Sequence, residues 1–562
     1  MFDAIVIGSG MSGGISAKEL CERGLKVLVI ERGRKIEHGA DYMDTQQPWE
    51  LPTNNLIPEE ELAADYAVQR QCYAVNAATK QFWVKDSEHP YTTPKDKPFA
   101  WIRGYHLGGR SIMWGRQSYR MSEMDLAANK QDGHGCDWPI RYDDLAPWYD
   151  HVEKFVGVAG SKEGLAQLPD GEFLPAFEMN DGEKLFKASV EAKFPGRKVI
   201  IGRNANLSVA LPHHEELGRS TCQNRSICER GCSYGASYSS LSAALPAATR
   251  TGNLTIVTDA IVHSLVQDAK TGRITAVKVI DARTKVGRTY EAKLFFLNAS
   301  AIPSAQILLN SASEANPRGL CNKSDQVGRN LMDHLYALTT AGVMPTYPAD
   351  SYYRGRRPTG IYIPRYRNVT EQADGYVRGY GFQGGVMRQG GKPGADAAGI
   401  GQEIKARGRK FGPWLSFISG FGEMLPDPDN RVTQSATQQD KWGIPVLHID
   451  CGMGANEASM ARQILADGKA MIEAAGGVVI SQATEAGAPG LGIHEMGTAR
   501  MGRDPKTSVL NSHNQVWDCP NVFVTDGSFM TSAACHNPSL GYMAFTARAS
   551  AFAVEELKRG NL

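Results

Sequence analysis

The first residues of the chain constrain its fold more than any other segment. The apolar run FDAIVI is followed by GSGMSGG, a stretch with helical spacing, and a second apolar run, LKVLVI, that leads to Glu31. Gly8 allows a tight turn, Gly10 leaves room for a pyrophosphate, and Gly13 lets the helix pack closely on the strand. The helix N-terminus offers N–H groups to phosphate, and Glu31 can accept hydrogen bonds from a ribose. A plain βα turn needs no acidic residue, so the pattern predicts a Rossmann-like dinucleotide site.

The first glycine motif alone does not distinguish NAD from FAD, and two later segments help to do so. WIRGYHLGGRSIMWG contains a second glycine pair, Gly108-Gly109, where the backbone can approach a flat ring or a phosphate. NVFVTDGSFM has the pattern of a strand that runs into Asp526-Gly527 and is followed by Pro538 and a helix. Both segments therefore predict further contacts with the cofactor.

The C-terminal stretch HEMGTARMG…TDGSFMTSAACHNPSLG contains a candidate catalytic pair, His494 and Asn537. Each lies in a turn rich in Gly, Ser or Pro, which would present its side chain at the end of a strand or helix. An imidazole can take a proton near neutral pH, and an amide can hold a hydroxyl oxygen beside it. The pair predicts oxidation of an alcohol, with His494 as the base and the dinucleotide as the hydride acceptor.

Six motifs in order resemble those of the GMC (glucose–methanol–choline) oxidoreductases, which hold FAD. They are GSGMSGG with ERG, LGGRSIMWG, VGRNLMDH, LPDPDNRVTQ…KWGIPVLHID, HEMGTARMG and TDGSFMTSAACHNPSLG, and they span nearly the whole chain. The resemblance implies an α/β fold with a Rossmann-like FAD-binding domain assembled from several segments. An α+β substrate domain built on an antiparallel sheet is inserted between them. The resemblance also implies that His494 and Asn537 match the family's catalytic pair.

The motifs and the resemblance together predict the residues that contact FAD. They are Gly8, Ser9, Gly10, Ser12, Gly13, Glu31, Arg32, Gly108, Gly109, Ser111, Val262, Asp526, Gly527, Asn537 and Pro538. Some family members attach FAD covalently through a histidine shortly after the second glycine pair. Met113 occupies that position here, and its thioether cannot form the bond, so we expect non-covalent FAD.

The length of 562 residues predicts more than one domain. We expect residues 1–50, 95–140, 220–335 and 485–562 to form the FAD-binding domain. Residues 51–94, 141–219 and 336–484 are then expected to form the substrate-binding domain and a lid. The segment 378–412 is rich in Gly and basic residues and is predicted to be a loop or lid over the site. A phosphate or partner contact is its alternative interpretation.

Composition excludes two classes of partner. The formal net charge of +1 argues against nucleic-acid binding, and the lack of a run of 18 apolar residues predicts no transmembrane segment. We find no basic n-region, apolar h-region or twin-arginine pair at the start, and expect no export signal on this chain.

Three of the ten cysteines cluster in CQNRSICERGC, namely Cys222, Cys228 and Cys232. Their tight spacing favours one metal site or cluster, and without a fourth ligand nearby it suits a [3Fe–4S] cluster better than zinc. Neighbouring Arg225 and Arg230 could offset part of a cluster's negative charge. Bacterial FAD-dependent sugar dehydrogenases of the family carry a similar triplet that ligates such a cluster. The alternative is a disulfide plus one free thiol.

Three other histidines are assigned lesser roles. His334 in VGRNLMDH is predicted to be a structural hydrogen-bonding group, and His106 is expected near the flavin. His536 should point away from its neighbour Asn537 if that segment is extended. Glu423 and polar groups near residues 380–410 are candidates for gripping a sugar.

The resemblance is greatest to glucoside 3-dehydrogenases, and implies oxidation of a sugar or glycoside at C3 to a 3-keto sugar. Three alternatives stay open: oxidation of a free aldose at C1, an oxygen-using enzyme similar to pyranose oxidase, and a non-catalytic electron-transfer flavoprotein subunit. The resemblance also implies a small partner subunit with a twin-arginine signal and a cytochrome c-type electron acceptor. Such co-export predicts a periplasmic location, with a cytoplasmic one as the alternative.

Overall fold

The computed structural model describes residues 2–349, 358–373, 375–389, 401–409 and 411–562. Its strands are, in chain order, β1 (Phe2–Ile7), β2 (Val27–Ile30), β3 (Ile200–Ile201), β4 (Leu254–Val257), β5 (Ala260–Gln267), β6 (Ile274–Asp281), β7 (Gly287–Leu297), β8 (His334–Val343), β9 (Ile361–Ile363), β10 (Tyr380–Arg388), β11 (Trp414–Glu423), β12 (Arg431–Gln439), β13 (Pro445–Asp450), β14 (Val478–Gln482), β15 (Gln515–Val516) and β16 (Cys519–Val524).

The α-helices are distributed over the whole chain. They are α1 (Met11–Glu22), α2 (Glu59–Asp65), α3 (Glu123–Asp132), α4 (Tyr142–Val156), α5 (Asp181–Lys193), α6 (Pro212–Glu215), α7 (Leu245–Arg250), α8 (Ala301–Asn310), α9 (Gln402–Gly408), α10 (Ala455–Ala474) and α11 (Ser539–Lys558). Within the described ranges, no helix is both long enough and apolar enough to cross a membrane.

The first sheet is built around parallel strands in the order β16–β7–β1–β2–β4, with β15 antiparallel to β16 at one edge. The first part of β7 also pairs antiparallel with β6, which pairs with β5. Strand β2 is buried along its whole length, as expected for a parallel strand covered on both faces. Helix α1 packs against this sheet and contacts α7 and α11. This layer is the Rossmann-like half of the molecule.

The second sheet is antiparallel, in the order β14–β8–β11–β10–β9–β3. Helix α10 packs on β8, β11 and β14, and α5 packs on β10. Their apolar side chains form a core of their own that includes Leu338, Phe382, Ile418 and Ile464. The two remaining strands, β12 and β13, pair with each other in a separate hairpin.

The predicted fold class is confirmed: the protein has a parallel Rossmann-like sheet and a separate antiparallel sheet. Every strand of the first sheet comes from the segments assigned to the FAD-binding domain. Strands β3, β9, β10, β11 and β14 come from the segments assigned to the substrate domain, whereas β8 begins two residues before the expected border at residue 336. The domain borders themselves stay a prediction.

The segment 378–412 differs from the predicted loop. Tyr380–Arg388 is strand β10, which lies between β9 and β11 inside the second sheet, and Gln402–Gly408 is helix α9. Residues 390–400 and 410 lie outside the described ranges. Gly384, one of the glycines that suggested a loop, is needed for close strand packing, because a Cβ there would lie 2.1 Å from the carbonyl oxygen of Phe417.

Candidate active site

A cavity of about 570 Å³ is lined by residues from both sheets. Ile7 and Ile30, at the carboxyl ends of β1 and β2, line it from the first sheet. Tyr336, Gln383 and Phe417 line it from the second sheet. Ligands of open α/β sheets bind outside the carboxyl ends of the strands, so this is the expected position for a dinucleotide.

The glycine turn after β1 has the geometry that a pyrophosphate site requires. Gly8 has a φ of +97°, and a Cβ there would lie 2.4 Å from the carbonyl oxygen of Asn298. A Cβ at Gly13 would lie 2.0 Å from the carbonyl oxygen of Gly8, so α1 and β1 are too close for any side chain. A Cβ at Gly10 would meet no atom within 4 Å, and Gly10 lines the cavity. The turn is therefore closely packed at Gly8 and Gly13, and it is open to the cavity at Gly10.

Glu31, the residue that follows β2, contacts this turn. Its carboxylate accepts hydrogen bonds from the Ser9 N–H (3.1 Å), the Ser9 hydroxyl (2.6 Å) and the Gly33 N–H (2.9 Å). Burial raises the pKa of Glu31. The guanidinium of Arg32 lies 3.9 Å from the ring centre of Tyr105. Both Glu31 and Arg32 line the cavity, which places an acceptor for ribose hydroxyls beside the glycine turn.

The second glycine pair contacts the first. The Gly108 N–H donates to the Ser9 hydroxyl (2.9 Å), and Gly108 has a φ of +86°. A Cβ at Gly109 would lie 3.3 Å from the Cα of Gly10. The Ser111 hydroxyl donates to the Gly108 carbonyl (2.5 Å) and fixes the turn from inside. The two glycine segments, far apart in the chain, thus form one continuous wall.

Most of the predicted cofactor residues line this cavity, and they come from distant segments of the chain. They are Gly8, Ser9, Gly10, Ser12, Glu31, Arg32, Gly109, Ser111, Val262, Asp526, Gly527, Asn537 and Pro538. Gly13 and Gly108 do not line the cavity. Gly13 packs closely against the Gly8 backbone, and Gly108 against the Leu241 side chain. The carboxylate of Asp526 accepts hydrogen bonds from Ser304 and Ser528, and burial raises its pKa.

His494 and Asn537 meet in the wall of the cavity. The Nδ2 of Asn537 lies 3.2 Å from the Nε2 of His494, and both side chains are half-buried. The side-chain amide of Gln383, on β10, donates to the Oδ1 of Asn537. Burial, with the neighbouring His334 and Arg110, holds the pKa of His494 well below its usual range. A neutral imidazole beside an amide can serve as a base and a clamp for one hydroxyl group.

Asp333 fixes the loop that carries His494. Its carboxylate accepts hydrogen bonds from the N–H groups of Gly490 (2.7 Å), Gly492 (2.9 Å) and His494 (3.1 Å). Between them, Ile493 has a φ of +60°, in the left-handed region. Burial and the charge of Glu495 raise the pKa of Asp333 to about 6. The base is therefore held by its backbone as well as by its ring.

The other three histidines occupy different surroundings. The Nδ1 of His334 lies 3.0 Å from the Nδ1 of His494, so this hydrogen-bonding group is in direct contact with the candidate base. His536 is buried outside the cavity wall, with its Nε2 3.8 Å from the carboxylate of Asp125. His106 is also buried and does not line the cavity.

Several cavity residues have no signal in the sequence. Arg110 forms a two-pronged ion pair with Glu495 (3.1 and 2.7 Å), and both line the cavity beside His494. Gln383 reaches the site only because β10 crosses it.

Glu423, predicted as a candidate for binding the sugar, instead forms an ion pair with Arg378 (2.7 Å) in the protein interior and does not line the cavity.

The three clustered cysteines line a second, small cavity, and Cys228 lines the first cavity as well. All ten cysteines of the chain are free thiols here, so the disulfide alternative has no counterpart in this structure. The thiols of Cys222, Cys228 and Cys232 do not all lie within 4.8 Å of one another. A single tetrahedral ion, with metal–sulfur distances of about 2.3 Å, would require closer thiols. A larger cluster holds its thiolates further apart, so the cluster stays a prediction.

Two family models described as GMC oxidoreductase match the chain, one over residues 2–336, more than half of it, and one over residues 426–546. The chain belongs to the GMC oxidoreductase family. GMC oxidoreductases bind FAD and act on CH–OH groups, and the glycine turn with Glu31 fits that cofactor.

Known relatives of this GMC oxidoreductase include both dehydrogenases and oxidases. It is 28% identical to the fructose dehydrogenase large subunit of Gluconobacter japonicus, over 99% of this chain and 98% of that protein. It is 27% identical to the 6'''-hydroxyparomomycin C oxidase of Streptomyces lividus, over 98% of this chain and 91% of that one. A crystal structure of pyridoxine 4-oxidase from Mesorbium loti has the same fold, with a TM-score of 0.58, 17% identity and 98% coverage of both chains.

Proposed function

We propose that this GMC oxidoreductase is an FAD-dependent dehydrogenase of sugars or glycosides. It oxidises a secondary hydroxyl, at C3 of a glucoside, to a 3-keto sugar, and passes the electrons to a [3Fe–4S] cluster on Cys222, Cys228 and Cys232. The observation that carries the proposal is the neutral His494, 3.2 Å from Asn537, in a cavity that also contains the glycine turn and Glu31.

The residues of the chain divide the reaction between them. Bound FAD supplies the hydride acceptor. His494 takes the hydroxyl proton on Nε2, which is the nitrogen that faces Asn537. Asn537 holds the hydroxyl oxygen with its amide N–H, and Gln383 fixes the orientation of that amide. The proton then resides on a half-buried imidazole, next to His334.

The cavity wall near the catalytic pair suits a sugar. Both aromatic side chains and uncharged polar side chains line the cavity, so a sugar ring can pack while its hydroxyls find partners. The polar groups are Gln117, Thr359, Gln383 and Ser419, and the rings are Tyr336, Phe417 and Phe421. The similarity to a fructose dehydrogenase supports the same substrate class.

Two buried arginines support an anionic group at the cysteine triplet. Arg219 donates only to the carbonyls of Phe155, Val156 and Gly235, and Cys232 is among the groups that bear on its pKa. Arg116 also donates only to carbonyls, and its charge acts on the Cys228 thiol. In the described part of the chain neither forms an ion pair, so the negative charge of thiolates bound to a cluster would balance both.

By contrast, one of the arginines singled out in the sequence is already neutralised. Arg225 pairs with Asp44 at 2.5 Å. Arg230 donates to the Gln46 carbonyl at 3.0 Å.

As part of the same proposal, a small partner subunit with a twin-arginine signal exports the folded chain to the periplasm, where a cytochrome c accepts the electrons.

Oxidation of a free aldose at C1 and an oxygen-using reaction are the competing functions, the second favoured by the oxidase relative. Methyl glucoside separates the first, because its anomeric hydroxyl is blocked. We expect dye-linked turnover on methyl glucoside without stoichiometric hydrogen peroxide. Turnover on glucose alone would establish C1 oxidation, and peroxide formed at the rate of sugar loss would establish an oxidase.

The cluster has its own test. Protein purified without oxygen is expected to contain three irons per chain and a [3Fe–4S] EPR signal. Cys222→Ser should lose both, retain flavin reduction by sugar and lose electron transfer to the acceptor. Cys136→Ser is the matched control, because Cys136 is another half-buried thiol outside the triplet. Wild-type protein without iron, or a Cys222→Ser variant with a full signal, would contradict the cluster.

A further inference from the structure

We infer that His334 is a positioning residue, which holds His494 in the tautomer whose Nε2 is free to accept a proton. The inference rests on the proposed function, in which His494 is the base. It begins from a continuous row of side chains that runs from the Ala534 carbonyl through both imidazoles to Asn537 and Gln383. Each contact in this row restricts where the protons of the next group can lie.

The first contact decides the tautomer of His334. Its Nε2 lies 3.1 Å from the Ala534 carbonyl oxygen, which can only accept a hydrogen bond, so this nitrogen carries the proton. Ala534 has a φ of +56°, an unusual conformation for a residue with a side chain. The backbone is thus held in a costly conformation at the residue whose carbonyl orients His334.

The contact between His334 and His494 then determines the tautomer of the base. With Nε2 as the donor, a neutral His334 has only a lone pair on Nδ1. That atom lies 3.0 Å from the Nδ1 of His494, which must therefore carry a proton and donate it. The remaining nitrogen of His494, Nε2, is then left with its lone pair toward the cavity.

The far end of the row agrees with this assignment. The Gln383 amide donates to the Oδ1 of Asn537, which leaves the Nδ2 of Asn537 to point at the Nε2 of His494 (3.2 Å). An amide N–H needs an acceptor, so this contact also requires an unprotonated Nε2. Both ends of the row therefore select the same tautomer.

The surroundings of His334 keep it neutral. It is buried on β8, and burial, with nearby His536, lowers its pKa to about 3. His536 acts on the pKa of both rings, and Arg110 acts on that of His494. The carboxylate of Asp333 lies within 4.8 Å of the ligand nitrogens of both rings, and the charge of Glu495 acts on Asp333. A neutral His334 also accepts a hydrogen bond from the imidazolium that forms when His494 takes the substrate proton, as in other oriented catalytic histidines.

Two substitutions test the inference. His334→Asn keeps an acceptor oxygen close to the position of Nδ1, whereas His334→Leu keeps the volume and removes the acceptor. We expect His334→Leu to slow anaerobic flavin reduction about 10²–10⁴-fold, the range for a misplaced general base. His334→Asn should recover the rate to within about tenfold of wild type. FAD content and the sugar concentration for half saturation should be unchanged in both.

A pH profile separates positioning from a structural role. The rate of flavin reduction in His334→Leu should rise toward alkaline pH. In that variant the Nε2 of His494 is no longer held free to accept the proton, so the substrate hydroxyl must lose it to hydroxide in solution. The rate of His334→Asn should follow that of wild type. A His334→Leu variant with the wild-type rate and profile would overturn the inference, as would loss of FAD or of folding in both variants. So would a stoichiometric metal ion in wild-type protein that His334→Leu no longer binds, since Asp333, His334 and His494 have their ligand atoms within 4.8 Å. If His494→Ala reduces flavin as fast as wild type, the proposed function fails first, whatever the His334 variants do.

Discussion

Replacing His494 with alanine is expected to slow anaerobic flavin reduction by the sugar about 10²–10⁴-fold, which is the usual contribution of a positioned base. The hydroxyl proton then has no acceptor, because the other groups beside it are the amides of Asn537 and Gln383. FAD should stay bound, since the glycine turn and Glu31 follow strands β1 and β2, whereas His494 lies in a separate loop. Stopped-flow absorbance of the flavin measures the rate directly and does not depend on the electron acceptor.

The control for this substitution is His513→Ala. His513 is half-buried and stacks on Phe552 of α11, with ring centres 3.9 Å apart, and it does not line the cavity. It should reduce flavin at the wild-type rate. A His494→Ala variant that keeps full dye-linked activity would instead indicate another base or a non-catalytic flavoprotein subunit.

The same base also predicts the pH dependence of the wild-type enzyme. The pKa of His494 lies well below its usual value near 6.5, so the imidazole is already in its proton-accepting form in neutral and mildly acidic solution. The rate of flavin reduction should therefore stay flat as pH decreases from about 8 to about 6, whereas a base with the usual histidine pKa would lose most of its activity over that range.

The parts of the site that the sequence predicts well are those whose chemistry is local. The turn at Gly8, the open position at Gly10 and the acidic residue after β2 depend on residues within one βαβ unit. For the same reason, Asp526 and Gly527 could be assigned from a strand followed by a turn. His494 and Asn537 were recognised from motifs, and the structure brings them within 3.2 Å.

The parts that the sequence does not predict depend on contacts between distant segments. Gln383 lies in a glycine-rich stretch that has the composition of a loop, yet close packing against β11 makes it a strand. The contact of His334 with His494 requires β8 to begin beside a loop 160 residues further along the chain. Glu423 was a reasonable polar candidate by composition, but its partner Arg378 could not be foreseen from either neighbourhood.

Gly13→Ala is expected to remove FAD binding and to destabilise the fold at the same time. The new Cβ would lie 2.0 Å from the Gly8 carbonyl oxygen, a backbone atom that cannot move without opening the turn. The overpacking should lower the free energy of unfolding by about 1–3 kcal/mol or more, and the displaced turn should no longer receive the pyrophosphate. Flavin released by acid precipitation measures the first effect, and thermal unfolding of the protein measures the second.

Acid precipitation of wild-type protein tests a separate prediction. Flavin retained by that precipitate would contradict the non-covalent attachment that Met113 implies.

Gly10→Ala separates these two effects, because the position differs from Gly13 only in what lies beside it. A Cβ at Gly10 meets no protein atom within 4 Å, and its φ of −69° lies outside the left-handed region that favours glycine. Because Gly10 is the N-cap of α1, where alanine is less favourable than glycine, flavin-free protein should lose about 1 kcal/mol of unfolding free energy at most. The methyl group projects into the space where the pyrophosphate approaches the backbone, so FAD should bind more weakly. Equal loss of stability in both variants would show that Gly10 is needed for folding rather than for the cofactor. Unchanged FAD affinity in Gly10→Ala would place the pyrophosphate elsewhere in the cavity.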